Sequence, residues 1–311
     1  MTTFGATSTT DDVLEGVDLT GRTFLVTGTS AGLGVETTRA LTTHGARVIG
    51  AVRDVTKARA NLGAAGVDLD RVELREVDLA SLASIRAFTD GVVADHPPID
   101  VIIANAGIMG CPQGTTADGF ETQFGTNHLG HFVLVNRLVP LLGDGGRIVV
   151  LSSAGHRFSD VDLDDPNFEH TPYDAWVSYG RAKTANVLFA VELDRRLRDR
   201  GIRATALHPG GIMTELARHL TDDTLTQLIA ARGNRPNVWK SVPEGAATQV
   251  WAATVADAGE IGGRFCEDCN VAPIVTDTDE VPGVMWYALD PDTARALWAR
   301  SEELVRETFP S

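Results

Sequence analysis

Cysteine is scarce: the chain has three in 311 residues, Cys111, Cys266 and Cys269. So sparse and odd a set is no disulfide framework and fits a reducing cytosol. Cys266 and Cys269 have C-x-x-C spacing. No second Cys or His pair with zinc-ligand spacing accompanies them, so two ordinary thiols near a strand end are expected and no metal site is. Cationic excess is also lacking. Twenty-seven Lys and Arg face 42 Asp and Glu, for a formal charge of −15, which argues against a nucleic-acid or anionic-membrane partner. Any phosphate group must then be held by local amides and a few arginines. No apolar run approaches the ~20 residues that span a bilayer. The small, polar residues 1–11 lack the basic and apolar regions of a signal peptide. Residues 1–15 read as a flexible tail, and the expected location is cytoplasmic.

What the chain does have is apolar residues at 43% and 31 glycines, enough for a large core without disulfides or a structural metal. Short apolar strands are predicted at Thr23–Val26, Arg47–Val52, Arg71–Arg75, Asp100–Ile103, Arg147–Leu151 and Arg203–Leu207, with a seventh near Arg264–Cys266. Helical patterns alternate with them at Leu33–His44, Val55–Leu62, Leu82–Asp95, Phe120–Leu142, Val177–Arg200 and Glu244–Ala256, and a last helix covers Asp290–Glu307. This alternation predicts an α/β, doubly wound, mainly parallel seven-stranded sheet with helices on both faces. No linker or repeat divides it, so residues 16–311 are expected to form one domain. Two long connections, about 156–176 and 211–242, follow strand C-termini, the edge where such sheets bind ligands.

Strand Thr23–Val26 runs directly into Thr27-Gly28-Thr29-Ser30-Ala31-Gly32-Leu33-Gly34, and a helix follows. Glycines let the backbone approach a pyrophosphate, and the helix N-terminus offers unpaired N–H groups. Strand before and helix after make this a Rossmann-type dinucleotide turn rather than a chance glycine cluster. The acidic residue that would accept ribose hydroxyls at the end of the second strand falls on Val52, and Arg53 comes next. A guanidinium there can clamp a 2′-phosphate, so NADP(H) is favoured over NAD(H). Asp54 leaves an alternative open: it can contact the ribose or cap the helix that starts at Val55.

Tyr179 and Lys183 lie four apart in a helical pattern and share one face. Of the three tyrosines only Tyr179 has a lysine at that spacing. A phenol is a poor base at neutral pH. A cation about 4 Å away is worth roughly 4 kcal/mol at an effective dielectric of 20, or about three pKa units, which would bring the phenol near neutrality. Ser152 and Ser153 close strand Arg147–Leu151 at the same sheet edge, where a hydroxyl can hold a reacting oxygen or merely cap a turn.

The TGxxxGxG spacing and this pair resemble the short-chain dehydrogenase/reductase family over nearly the whole chain, Leu19 to about Glu307. Asp78-Leu79 resembles its adenine contact, Asn105-Ala106-Gly107 its NAG motif, and Asn127 the asparagine that holds a relay water against the lysine. Ser153, Tyr179 and Lys183 match its catalytic triad. His208-Pro209-Gly210-Gly211-Ile212, followed by Thr214, resembles its nicotinamide segment. Val52-Arg53-Asp54, Asn127-His128-Leu129-Gly130-His131 and Tyr179-Gly180-Arg181-Ala182-Lys183 look closest to the retinol-dehydrogenase-like and WW-domain-oxidoreductase-like branch. Gly155 before His156 stands where many relatives carry a different small residue, and Ala104 stands where the family often has a second asparagine. Neither is expected to touch the chemistry. His128, His131 and His156 lack a supporting ligand pair and read as packing or surface residues.

By this resemblance the cofactor set is Gly28, Thr29, Ser30, Gly32, Leu33, Gly34, Arg53, Asp78, Leu79, Asn105, Ala106, Gly107, Tyr179, Lys183, Pro209, Gly210, Gly211, Ile212 and Thr214. Tyr179 is the acid/base, Lys183 lowers its pKa, Ser153 positions the substrate oxygen and Asn127 sustains proton supply. The expected partner is a small-molecule carbonyl or alcohol, and the expected assembly a homodimer or homotetramer. Leu216, Leu220, Leu225, Leu228 and Ile229 recur near helical spacing in a segment beside the reactive carbon, which points to a mainly hydrophobic substrate. Two alternatives stand beside this reading. One is a sugar-nucleotide epimerase or dehydratase, which would carry a TGxxGxxG turn and a larger C-terminal domain. The other is a non-catalytic NADP-binding regulator, which would lack the Tyr–Lys pair.

Overall fold

The structure, a computed structural model, describes residues 4–95, 98–212 and 239–310. Strands β1 (Thr23–Thr27), β2 (Arg47–Val52), β3 (Val72–Glu76), β4 (Ile99–Ala104), β5 (Leu142–Leu151), β6 (Arg203–His208), β7 (Phe265–Glu267) and β8 (Asn270–Val271) form one sheet in the order β3-β2-β1-β4-β5-β6-β7-β8. All neighbours pair in parallel except β7 and β8. The eighth strand is a two-residue antiparallel edge that apolar patterning is too short to announce. A separate parallel pair joins β9 (Ile274–Val275) to β10 (Val284–Met285).

Side chains alternate across each strand, and here both faces are covered. Leu25, Ile102, Ile148 and Val150 point into one core with α4 (Leu82–Asp95), α6 (Gly130–Leu138), α7 (Ala175–Leu197) and α10 (Pro291–Val305). Phe24, Val26, Val101 and Val149 point into the other, with α2 (Gly32–Thr43) and α8 (Val242–Ala253). That is why the strands read as continuous apolar runs and the helices as one-sided ones. The C-terminal helix α10 docks through Trp298, whose ring lies 5.1 Å from Phe132 and 5.9 Å from Phe189.

Two expectations need correction. Residues 10–14, placed in a flexible tail, form helix α1 (Thr10–Leu14), with a reciprocal Thr9–Asp12 capping box. Val13 and Leu14 are buried, and Asp11 pairs with Arg39 at 2.8 Å. The capping residues satisfy the first-turn amides and the two apolar residues complete the α2/α8 core, so the helix is anchored. The single helix expected over Phe120–Leu142 is broken. It runs as α5 (Thr122–Phe124), a π-turn Gly125–Leu129, α6, and a 3-10 turn Val139–Leu141 containing Pro140. Two further helices among the described residues are α3 (Val55–Ala64) and α9 (Ala258–Ile261).

Candidate active site

Strand order reverses between β1 and β4, and there the turns after β1, β2, β3 and β4 border one cleft of about 760 Å³. Gly28, Ser30, Gly32, Leu33, Gly34, Arg53, Asp78, Leu79, Asn105, Ala106 and Gly107 all line it. A Cβ on Gly34 would fall on the carbonyl of Gly28, so only glycine lets α2 begin this close to the turn. Ala31 caps α2 without a side-chain acceptor, so no side chain caps its first-turn amides. A close glycine cradle with uncapped amides fits a dinucleotide pyrophosphate. Thr29 is placed differently. Its side chain is buried outside the lining, and a Cβ on Gly50 would stand 2.7 Å from its hydroxyl. Asp54 caps α3, accepting from the Lys57 amide at 2.8 Å.

The second half of the site hangs on β5 and α7. Ser152 donates to the Lys183 carbonyl at 2.7 Å. Lys183 Nζ and Asn186 Nδ2 both donate to the Leu151 carbonyl, at 3.1 and 3.0 Å. These bonds fix the end of β5 to one face of α7, so that Ser153 Oγ and the Tyr179 ring both stand around Gly155, 3.4 and 2.5 Å from where its Cβ would lie. The Lys183 ammonium lies 5.7 Å from the centroid of that ring. Asn127 sits in the π-turn, a distortion frequent at functional sites. Its amide clamps the Ile108 peptide, accepting from the amide and donating to the carbonyl, both at 2.9 Å. Gly107 closes the ring: a Cβ there would stand 3.2 Å from Asn127 Oδ1 and 3.6 Å from Lys183 Nζ.

The arithmetic of an isolated cation near a phenol leaves out burial, which acts in the opposite direction here. Burial pushes the Tyr179 phenol up to about 12, opposed by the neighbouring Ser153 hydroxyl, and lowers the Lys183 amine to about 8. Both charged forms lose water on burial, and that loss sets the direction of both shifts. At neutral pH the phenol is protonated, which suits a proton donor.

The three histidines are buried rather than superficial. Thr27 Oγ1 accepts from the Asn105 and Ala106 amides, both at 2.9 Å, so its own proton goes to His131 Nε2 at 2.9 Å. His131 Nδ1 then donates to the Asn127 carbonyl at 2.9 Å. Burial lowers His131 to about 4 and keeps it neutral, as this bonding pattern requires. His131 thus joins the cofactor turn to the Asn127 turn, a link its sequence position does not reveal. His156 donates from Nδ1 to the Ser153 carbonyl at 2.7 Å and accepts the Met285 amide at 3.1 Å. His128 bonds Ser301 at 2.9 Å. Cys266 and Cys269 are buried, and desolvation raises both thiols to about 11, which holds them protonated.

Gly210 and Gly211 follow β6, where the Lys240 amide donates to the Gly211 carbonyl at 2.9 Å. Ile212 and Leu33 both pack over Gly245 of α8. Thr214 and the apolar residues Leu216 to Ile229 lie outside the described residues. Pro209 stands in the same post-β6 stretch.

A parallel nucleotide-binding sheet with a serine, a tyrosine and a lysine brought together at its C-terminal edge defines a nicotinamide-dependent oxidoreductase. The family model "short chain dehydrogenase" matches residues 22–225, and the chain belongs to that family. It is 43% identical to a "Probable oxidoreductase" of Streptomyces lividans, over 91% of this chain and 97% of the relative. To human "Retinol dehydrogenase 14" it is 37% identical, over 92% and 86%. To human "WW domain-containing oxidoreductase" it is 35% identical, over 99% and 74%. Among solved structures, an uncharacterized protein from Mycobacterium paratuberculosis has a TM-score of 0.73 at 38% identity, with coverage of 94% and 97%. A short chain dehydrogenase from Burkholderia cenocepacia in complex with NADP has a TM-score of 0.58 at 25% identity, with coverage of 76% and 91%. The protein is an NAD(P)-dependent oxidoreductase of this family, in the branch its motifs indicate. Among the described residues no helix is long and apolar enough to cross a membrane.

Proposed function

We propose that this oxidoreductase uses NADP(H) to interconvert a carbonyl and an alcohol on a mainly hydrophobic small molecule, with Tyr179 as the acid/base. The observation that carries the reading is the convergence of Ser153 and the Tyr179 ring around Gly155, with the Lys183 ammonium 5.7 Å from the ring centroid. The bound dinucleotide supplies the hydride. Tyr179 donates the proton to the carbonyl oxygen in reduction and takes it back in oxidation. Ser153 holds the same oxygen and stabilises charge developing on it. Lys183 contributes positive charge beside the phenol, and the Asn127 turn braces the wall opposite.

Preference for the 2′-phosphate is supported by the disposition of charge. Arg53 and Lys57 line the adenosine end of the cleft, while Asp54, the carboxylate that would favour ribose hydroxyls, is engaged in capping α3. The related enzyme from Burkholderia binds NADP. Replacing Arg53 by Ala should weaken NADPH by roughly 1.5–3 kcal/mol, the range for hydrogen bonds to charged groups, and leave NADH affinity nearly unchanged. Titration of both cofactors by fluorescence measures this. Equal losses would place Arg53 outside the phosphate clamp.

A hydrophobic substrate is supported by the aromatic surroundings of the phenol. Trp176 packs edge-on to Tyr179 at 6.4 Å, and Phe158 packs on Trp176 at 5.8 Å. A related human enzyme is named for retinol. A panel of ketones, aldehydes and alcohols of graded polarity, followed by NADPH consumption or formation, tests the reading. The highest kcat/KM is expected for aromatic, terpenoid, steroid-like or long-chain compounds. A maximum at sugars or acidic metabolites would refute it.

A further inference from the structure

Two residues beyond Ser153, Gly155 lies in the 3-10 turn Ala154–Phe158, which rests on the first part of α7. The approach is so close that a Cβ on Gly155 would stand 2.5 Å from Cε1 and 2.7 Å from Cδ1 of Tyr179. Carbon atoms in contact sit about 3.5–4.0 Å apart, so the phenol ring occupies the space that any side chain at 155 would need. The backbone gives no other reason for glycine, because Gly155 is not among the residues with positive φ. The facing side of the contact is glycine as well: a Cβ on Gly180 would stand 2.8 Å from the Ser159 amide nitrogen.

The same peptide unit also holds the other reacting group. The Gly155 amide donates to Ser153 Oγ at 3.0 Å. This engages one lone pair of the hydroxyl and leaves its proton free to donate. Thr184, one turn along α7 from Gly180, donates to the carbonyls of His156 and Ser159 at 3.0 and 2.8 Å and locks the turn in place.

On the carbonyl–alcohol reading above, we propose that Gly155 is a positioning residue: its amide fixes the Ser153 hydroxyl and its missing side chain seats the Tyr179 ring, so that the two oxygens converge on one substrate oxygen. This proposal differs from the expectation that the position lies outside the chemistry, and the experiment below decides between them. A methyl group at 155 must move the ring by about 1 Å while Ser153 stays tied to the backbone.

The test is Gly155→Ala in the full chain. A misplacement of about 1 Å can cost about a hundredfold in rate. The variant should therefore lose about a hundredfold in kcat, with KM and NADPH affinity within about threefold of wild type. Incorporated 3-fluorotyrosine gives a reading independent of activity. The fluorine resonance of Tyr179, assigned by its loss in Tyr179→Phe, should move in Gly155→Ala, while those of Tyr173 and Tyr287 stay. A kcat within threefold of wild type with an unmoved Tyr179 resonance overturns the proposal. Absence of turnover by the wild type across the panel refutes the functional reading instead, and the resonance still decides the role of Gly155. Should the variant melt too low to assay, the Gly155→Ala penalty on Tm must shrink in a Tyr179→Ala background, because the clash is removed with the ring. An undiminished penalty there overturns it too.

Discussion

Tyr179→Phe is expected to reduce kcat by roughly 10²–10⁴-fold, the usual contribution of a positioned proton donor, while NADPH affinity stays within a few-fold of wild type. The substitution keeps the ring that packs against Gly155 and Trp176 and removes only the hydroxyl. The fold should survive, because every ring contact is kept and only the hydroxyl is lost. The direction of the pKa shift sets the pH dependence. With burial raising the phenol to about 12, the proton is present throughout the working range, so reduction does not wait on protonation of Tyr179. Oxidation requires the phenol to give its proton up, so its rate should climb with pH toward that value. Steady-state kinetics in both directions, with cofactor binding measured separately, check this. A Tyr179→Phe kcat within tenfold of wild type would remove Tyr179 from the acid/base role.

Lys183→Met should separate activity from stability. Activity is expected to fall by roughly 10²–10⁴-fold, since the substitution removes the only cation beside the phenol among the described residues. Stability should not fall with it. The amine is buried, and its pKa drops from 10.5 to about 8, so the folded state resists the charged form. Between about pH 8 and 10.5 the unfolded chain binds more protons than the folded one, and wild-type stability therefore rises with pH across that window. Below pH 8 the fold carries the full cost of a buried ammonium, on the order of 3 kcal/mol for a shift of this size. Methionine removes that cost. It leaves the Leu151 carbonyl satisfied by Asn186, which donates to it at 3.0 Å. The melting temperature of Lys183→Met at pH 7 should equal or exceed that of wild type, as is common where an active site holds a destabilising group. A fall of more than a few degrees would show that the amine contributes net stability through its bond to Leu151. In the wild type, reduction should also weaken as pH rises through about 8, where Lys183 loses its charge.

Much of this protein could be read along the chain. The alternation of short apolar strands with one-sided helices fixed a doubly wound parallel sheet, because period 2 and period 3.6 are local properties of a sequence. Thr27 to Gly34 marked the dinucleotide turn for the same reason: a strand, a glycine run and a helix in direct succession are local. Tyr179 and Lys183 were legible because a spacing of four has one meaning on a helix.

The tertiary structure decided the rest. Whether Asp54 faces a ribose or caps α3 depends on where its carboxylate points, and it accepts the Lys57 amide. The π-turn that presents Asn127 has no pattern of its own in a helical stretch. It is held by contacts with Ile108 and His131 that the fold supplies. The role of His131 depends on Thr27, 104 residues away, meeting it in the core. That the phenol is raised rather than lowered follows from burial, which no spacing encodes. Gly155 gives the clearest case. In the sequence it is one glycine of 31. Only the packing of one turn on one helix shows that the ring of Tyr179 takes the place of its side chain, because steric exclusion exists between neighbours in space and leaves no trace in their order along the chain.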